Sequence, residues 1–411
     1  METFVMRKMV LPFVATLAIT SGGAMAHEGE EDGGHLISHH VAGLGIEGGV
    51  TWFLQGTDGN DNGAGDALDL TYSFDLSLEA RVSNEGKVVA AFEAGNGNGV
   101  DGRLSSLSTA NYDAFVTDTF ADATNSGVTD INSPSLSQLY YEGEYMDGQL
   151  VVDFGKLDVH SMYDDNAYAN DETDQFLSAI FTRSPGTSYA ELDRYYAPGM
   201  AVGVAADEHL DLMFILANGN GAGFDSFGNR PYGVVQANVK PGFGGLDGNY
   251  RFYVIQDQRR FHKIAGASVD VGGNISGTVS SNTAWGISFD QALPGEIGLF
   301  ARYSNQKNDL AENTVESVWS VGASASGANW GREDDVIGLG YGQINVNNDP
   351  FIKTQMGVTN QDDESHAELY YKLGFSDHFT LTPDIQVITN NSGNADSASV
   401  TVYGVRGQLS F

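Results

Sequence analysis

Residues 68–82 read Leu68-Asp69-Leu70-Thr71-Tyr72-Ser73-Phe74-Asp75-Leu76-Ser77-Leu78-Glu79-Ala80-Arg81-Val82. The even positions are apolar and the odd positions polar, without a break. Successive side chains of a strand point to opposite faces, so this is a β-strand with one dry face and one wet face. It is also long. Strands of soluble sandwiches usually run about five or six residues, whereas about 9–11 tilted residues cross a bilayer. The same alternation returns at 366–375, where Ala367, Leu369, Tyr371, Leu373 and Phe375 oppose His366, Glu368, Tyr370 and Lys372. It returns again at the C-terminus, with Tyr403, Val405, Leu409 and Phe411 opposite Arg406, Gln408 and Ser410.

Working outward from these segments, the pattern predicts sixteen strands. The first eight are 44–54, 66–82, 86–95, 137–145, 149–157, 195–206, 209–217 and 232–240. The second eight are 247–256, 283–290, 296–304, 316–325, 335–344, 366–375, 379–389 and 398–411. Every even-numbered connection between them is shorter than both its neighbours. Short turns at one rim and long loops at the other describe an antiparallel transmembrane β-barrel with periplasmic turns and external loops. Closure follows from physics, because an open sheet edge in hydrocarbon leaves backbone groups unpaired at several kcal/mol each. Sixteen strands also enclose a lumen too wide for side chains to fill.

Composition agrees. The chain has 411 residues, with 20 Lys plus Arg against 54 Asp plus Glu and no Cys. No disulfide or thiolate site is possible, and so acidic a chain is unsuited to neutralising nucleic-acid phosphates. Mean hydropathy is -0.21, but strict alternation cancels in any mean. Arg7 and Lys8, an apolar run from Met9 to Ile19 and Ala24-Met25-Ala26 read as a signal peptide over 1–26. That run is too short for a membrane anchor of about 20 helical residues. Residues 27–43 form an acidic, His-rich periplasmic tail, and 44–411 the barrel domain.

By parity, Asp69, Asp75, Glu79, Glu93, Glu142, Glu144, Asp153, Glu368 and Asp384 point into the lumen. So do Arg81, Arg251, Arg302, Lys372 and Arg406. The inward faces read as polar and charged, and the excess of acid favours cations. The connection 158–194 carries Asp164, Asp165, Glu172, Asp174, Arg183 and Arg194 together with Tyr163, Tyr168, Phe176, Phe181 and Tyr189. A loop this aromatic is expected to fold inward and constrict the pore, where charged and aromatic groups meet the permeant. An external cap or partner surface is the alternative. The expected pore-lining set is Arg81, Glu93, Asp165, Glu172, Asp174, Arg183, Arg194, Arg251, Arg302, Glu368, Asp384 and Arg406.

Several stretches resemble the carbohydrate-selective porin family of Gram-negative outer membranes. They are Phe154-Gly155-Lys156-Leu157-Asp158 with 166–177, Tyr195-Tyr196-Ala197-Pro198-Gly199-Met200, and Gly248-Asn249-Tyr250-Arg251-Phe252-Tyr253. Further on come 299–303, 331–341, Glu368-Leu369-Tyr370-Tyr371, 381–386 and Tyr403-Gly404-Val405-Arg406. The likeness covers roughly 140–411 in the right order. It implies a sixteen-stranded barrel in the outer membrane for passive uptake of monosaccharides and other small sugars, with no cofactor and no enzymatic activity. A cation-preferring or general porin for other small solutes is the alternative reading. The implied partners are small sugars and outer-membrane lipid, with monomer and homotrimer both open.

Metal-binding patterns are weaker. Asp58, Asn60, Asn62, Gly63 and Asp69 fall at positions of a calcium loop, but Asp69 stands where such loops carry Glu. A Gly/Asn-rich external turn explains them as well. His27, His35, His39 and His40 lie in the tail without fixed geometry. Gly43-Leu44-Gly45-Ile46-Glu47-Gly48 matches a dinucleotide fingerprint only as a string, since it follows no buried parallel strand.

Overall fold

The computed structural model describes residues 40–41, 44–96, 99–114, 130–187, 196–219, 228 and 230–411. The expected signal peptide (1–26), most of the expected His-rich tail (27–43) and Arg194 lie outside the described residues. Sixteen antiparallel strands close into one barrel. They are β1 Leu44–Asp58, β2 Leu68–Arg81, β3 Gly86–Asn96, β4 Asp130–Tyr145, β5 Leu150–Asp158, β6 Tyr196–Asp207, β7 Leu210–Asn218 and β8 Pro231–Val239. The second half is β9 Gly248–His262, β10 Val279–Leu293, β11 Ile297–Gln306, β12 Val315–Ser326, β13 Val336–Val346, β14 Glu364–Ser376, β15 Phe379–Thr389 and β16 Val400–Ser410. Each strand pairs with its sequence neighbours, and β16 closes on β1 through ten register pairs from Thr401↔Asp58 to Ser410↔Gly49. Phe411 and Gly48 then exchange main-chain hydrogen bonds of 2.9 and 3.0 Å. No edge is left to hydrocarbon.

The alternation decides which face is which. Leu54, Leu70, Phe154, Phe214, Val254, Leu339 and Ile385 are among the large apolar side chains left exposed around the outer wall. Their strand neighbours Gln55, Thr71, Asp153 and Asp384 are buried on the inner face. All sixteen expected strands are present, with shifted ends. β4 starts earlier than 137 and runs through Pro134, which cannot donate to the ladder; its register against β3 slips at Ala91/Phe92 and Glu93/Gly95. β9 continues beyond 256 past a register slip between Asp257 and Phe261, where Arg259 and Arg260 interrupt the pattern.

Two expectations need correction. The connection 307–314 is shorter than the turn 327–335, because β11 and β12 extend two residues and one residue further into it than the pattern suggested. The inner face is also not polar throughout. From β6 to β10 it carries Ala201, Met213, Ile215, Val234, Ile255 and Ala284, which form one buried cluster with Val159, Met162 and Tyr163 of the connection after β5. Those strands are apolar on both faces because one face meets lipid and the other a loop.

Candidate functional site: the loop-lined lumen

The connection 159–195, described through Thr187, is seated on the inner wall. It leaves β5 in a turn, with Asp158 accepting from the N–H of His160 at 3.1 Å and from the Ser161 hydroxyl at 2.5 Å. Tyr163 meets Tyr232 of β8 hydroxyl to hydroxyl at 2.7 Å. Arg251 of β9 reaches Asp165 at 3.2 Å and also pairs with Asp290 of β10. Arg302 of β11 donates to Asp164 Oδ1 (3.2 Å), to its main-chain oxygen (2.9 Å) and to the carbonyls of Ala169 and Phe181. Lys372 of β14 holds Asp174 at 2.7 Å. Glu368 of β14 accepts from the N–H groups of Leu177 at 2.6 Å and Ser178 at 2.9 Å. On β16, Arg406 donates to the Glu172 carbonyl at 2.8 Å and Gln408 to the Thr173 hydroxyl at 3.0 Å. The loop therefore touches inward side chains from β8 round to β16.

Apolar packing seats it as well. Phe176 lies 5.0–5.2 Å, ring to ring, from Phe181, Phe300 and Tyr370. The wall is recessed beneath these rings. A Cβ at Gly298 would fall 2.2 Å from the Tyr168 ring, and one at Gly340 would fall 2.8 Å from Phe181. Any larger residue at Gly298 forces Tyr168 off the wall.

A second inward segment was missed by the sequence reading. Residues 99–114 pair main chain to main chain with the first loop, Tyr112 N–H to the Leu177 carbonyl at 3.0 Å and Ala179 N–H to the Thr109 carbonyl at 3.1 Å. Asp101 braces it by accepting from the N–H groups of Ala110 and Asn111, both 2.8 Å. Glu364 accepts from Leu107 N–H at 2.9 Å and from the Ser106 hydroxyl at 2.6 Å. Val100 and Leu104, four residues apart and packed on Ile388 and Val402, are the signal that could have flagged it.

The expected pore residues divide by environment. Asp165, Asp174, Arg183, Arg251, Arg302 and Glu368 hold the loop to the wall or to itself; Arg183 donates to Asn170, Thr182 and Ser161 and stands 5.6 Å over the Tyr112 ring. Glu93 accepts from the Tyr196 hydroxyl, and Asp384 from Gln386 at 3.0 Å. Arg81 is exposed at the short-turn rim, opposite Lys87 and away from the loops. Arg406 and Glu172 stay in the lumen beside Asp113 of the second segment. Burial pushes the Glu172 carboxyl up to about 8, with Arg183 opposing and the like charges of Asp171 and Asp113 adding to the rise. Burial likewise pushes Asp113 up to about 6, opposed by Ser73 and Arg406.

In the proposed calcium loop, the Asn60 and Asn62 amide nitrogens donate to the Arg103 carbonyl at 3.1 and 2.6 Å. Asp69 sits on β2, accepting from Leu70 N–H at 2.8 Å. Among the described residues, no three His, Asp or Glu side chains are grouped to hold a metal.

The sequence pattern of the family described as "Carbohydrate-selective porin, OprB family" matches residues 60–411. The chain belongs to this family. This porin is 26% identical to Porin B of Pseudomonas aeruginosa over 315 residues, covering 67% of its own length and 68% of that protein. It is 24% identical to Porin AaxA of Chlamydia abortus over 295 residues, 69% of its own length and 59% of that protein. Its backbone superposes on the high-pH structure of Pseudomonas putida OprB with a TM-score of 0.71 at 18% identity, over 90% of this chain and 94% of that one. OmpT of Vibrio cholerae gives a TM-score of 0.52 at 11% identity. Those two likenesses speak to fold. Family, relatives and barrel together place this porin in the outer membrane, as a channel.

Proposed function

We propose that this porin passes monosaccharides and other small sugars by diffusion, with Arg406 at the centre of the recognition site. One observation carries the reading. Arg406 is buried, its Nη1 is engaged by the Glu172 carbonyl, and its Nε and Nη2 have no hydrogen-bond partner among the described residues. The same holds for Thr382 Oγ1, directly opposite Arg406 in register, and for Gln386 Oε1, Glu172 Oε2 and Asp113 Oδ2. Buried polar atoms left unpaired are costly, so a cluster of them calls for a polar occupant. Adjacent sugar hydroxyls both donate and accept, which suits a guanidinium fork beside carboxyl and amide oxygens. Phe53, next to Arg406 across the β16–β1 seam, adds an apolar face for sugar C–H groups. The family supports the same substrate class.

Purified porin in planar bilayers, with glucose titrated against the KCl current, tests this reading. Glucose is expected to block the channel, and Arg406→Gln to weaken the block about tenfold, the loss of one charge-assisted pair of hydrogen bonds. Conductance indifferent to glucose in the parent protein overturns the sugar assignment. The excess of inward acids favours a second reading, a preference for cations.

A further inference from the structure

We propose that Glu142, Asp153 and Glu79 form a seat for a primary ammonium group at the periplasmic end of the channel, so that small organic amines bind there. The site stands apart from Arg406 and does not rest on the sugar reading. Glu142 and Asp153 face each other across β4 and β5, and Lys87 faces Glu142 across β3 and β4. Directly opposed residues of an antiparallel pair have Cβ atoms about 5 Å apart. These three side chains therefore share one row of the inner wall, just above the short turns 82–85 and 146–149.

The protein already places an ammonium in this row. Lys87 Nζ lies 3.0 Å from Glu79 and 3.3 Å from Glu142. One lysine pairs with two carboxylates, and the third, Asp153, lies outside that pairing. Asp153 is 1% exposed, and neither of its carboxyl oxygens has a hydrogen-bond partner among the described residues. The charges that act on it are those of Glu142 and Lys87. A buried, unpaired carboxylate is among the costliest groups a wall can hold, and a cation relieves it. A cavity of about 290 Å³ opens at this end, lined by Glu79, Arg81, Lys87, Glu142 and Glu144, and so reaches Glu142, the cross-strand neighbour of the buried Asp153.

Lys87 shows which cation fits. Three N–H donors on a compact charge can be shared between neighbouring carboxylates. An incoming ammonium enters at Glu142 and is shared with Asp153, or it displaces Lys87 from between Glu79 and Glu142 so that Lys87 turns to Asp153. Either step moves charge along the row without leaving a carboxylate bare.

The full-length porin in planar bilayers tests this, with 1,4-diaminobutane added to either side of the membrane in dilute KCl. The diamine is expected to block the current, more strongly from the periplasmic side, while tetramethylammonium, which has no N–H donor, blocks far less. Asp153→Asn and Glu142→Gln should each weaken the diamine block about tenfold, the scale of one charge-assisted hydrogen bond, and leave glucose block unchanged. Lys87→Met removes the resident competitor and should strengthen the block. Equal block by both cations, or a diamine block untouched by Asp153→Asn and by Lys87→Met, overturns the proposal. Loss of glucose block with the diamine effect intact would overturn the sugar reading alone.

Discussion

Arg302 on β11 and Asp164 on the loop after β5 form an ion pair, Nε to Oδ1 3.2 Å, with both side chains almost wholly buried at 1% and 3% exposure. The same guanidinium also takes three loop carbonyls, those of Asp164, Ala169 and Phe181. With Asn170 Oδ1 at 3.4 Å, one wall residue thus gathers five acceptors from a single loop. Removing one partner of a buried pair costs about 3–5 kcal/mol. Arg302→Leu is expected to release the loop, raising single-channel conductance and current noise while the barrel still resists heat on gels. Parent-like conductance would mean that this anchor does not set the pore's width.

The outer wall yields a depth rule. Leu339 sits mid-strand on β13 and is exposed to lipid, whereas Val82 is exposed at the short-turn rim. Arginine at the bilayer midplane of a barrel costs about 2–4 kcal/mol, falling to about 0–1 near the interface. Leu339→Arg should therefore destabilise the barrel in urea far more than Val82→Arg. Equal losses would mean that the outward assignment of this face is wrong.

At the turn 327–335, Asp335 accepts from Arg332 Nη2 at 2.9 Å, from the Tyr371 hydroxyl at 2.7 Å and from Gly374 N–H at 3.1 Å. The Arg332 hydrogen bonds hold its carboxyl down to about 2, against the effect of burial, with Tyr371 and Gly374 assisting. A carboxyl depressed in the folded state adds stability above its unfolded value of about 4, and that stability is lost as pH falls toward 2. Unfolding temperature in detergent should fall between pH 4 and 2, and Asp335→Asn should flatten that fall. An identical acid profile in the variant would locate the titrating group elsewhere.

Glu172 and Asp113 act at higher pH. Their raised values, about 8 and about 6, mean that both ionise between pH 6 and 8. Their negative charge should then strengthen cation preference, most visibly in dilute salt, where the Debye length is about 30 Å at 0.01 M. Reversal potentials under a KCl gradient should move toward the potassium potential from pH 5.5 to 8.5. Both carboxyls hold protons more tightly folded than unfolded, so the same rise in pH weakens the loop's seating. A reversal potential that ignores pH, or moves toward chloride, would place these groups away from the ion path.

The strands were legible because a membrane barrel repeats one constraint sixteen times, apolar outside and not necessarily so inside. At Leu68–Arg81 that constraint reads without error. It blurs at Leu210–Asn218, where Met213 and Ile215 face inward as apolar as Phe214 and Leu216 face lipid. Nothing local marks such a residue as loop-covered, because its partners Val159 and Met162 lie far along the chain. The aromatic loop was legible from composition. Its companion, residues 99–114, was not, since its bracing rests on contacts such as Gln386 to the Ala110 carbonyl at 2.9 Å, 276 residues apart.

Sequence by itself determined the strand count, the closed sheet and which face meets lipid, since period-two alternation is a local property that hydrocarbon enforces at every position. Tertiary structure decided the rest. It made Arg302, Arg251 and Glu368 anchors while leaving two Arg406 nitrogens unpaired among the described residues, and it brought Asp113 beside Glu172. Alternation tells each of these residues only to point inward. Whether an inward charge meets a loop carbonyl, another charge or an open lumen depends on where two folded-in loops come to rest, and hydrogen bonds between distant segments decide that.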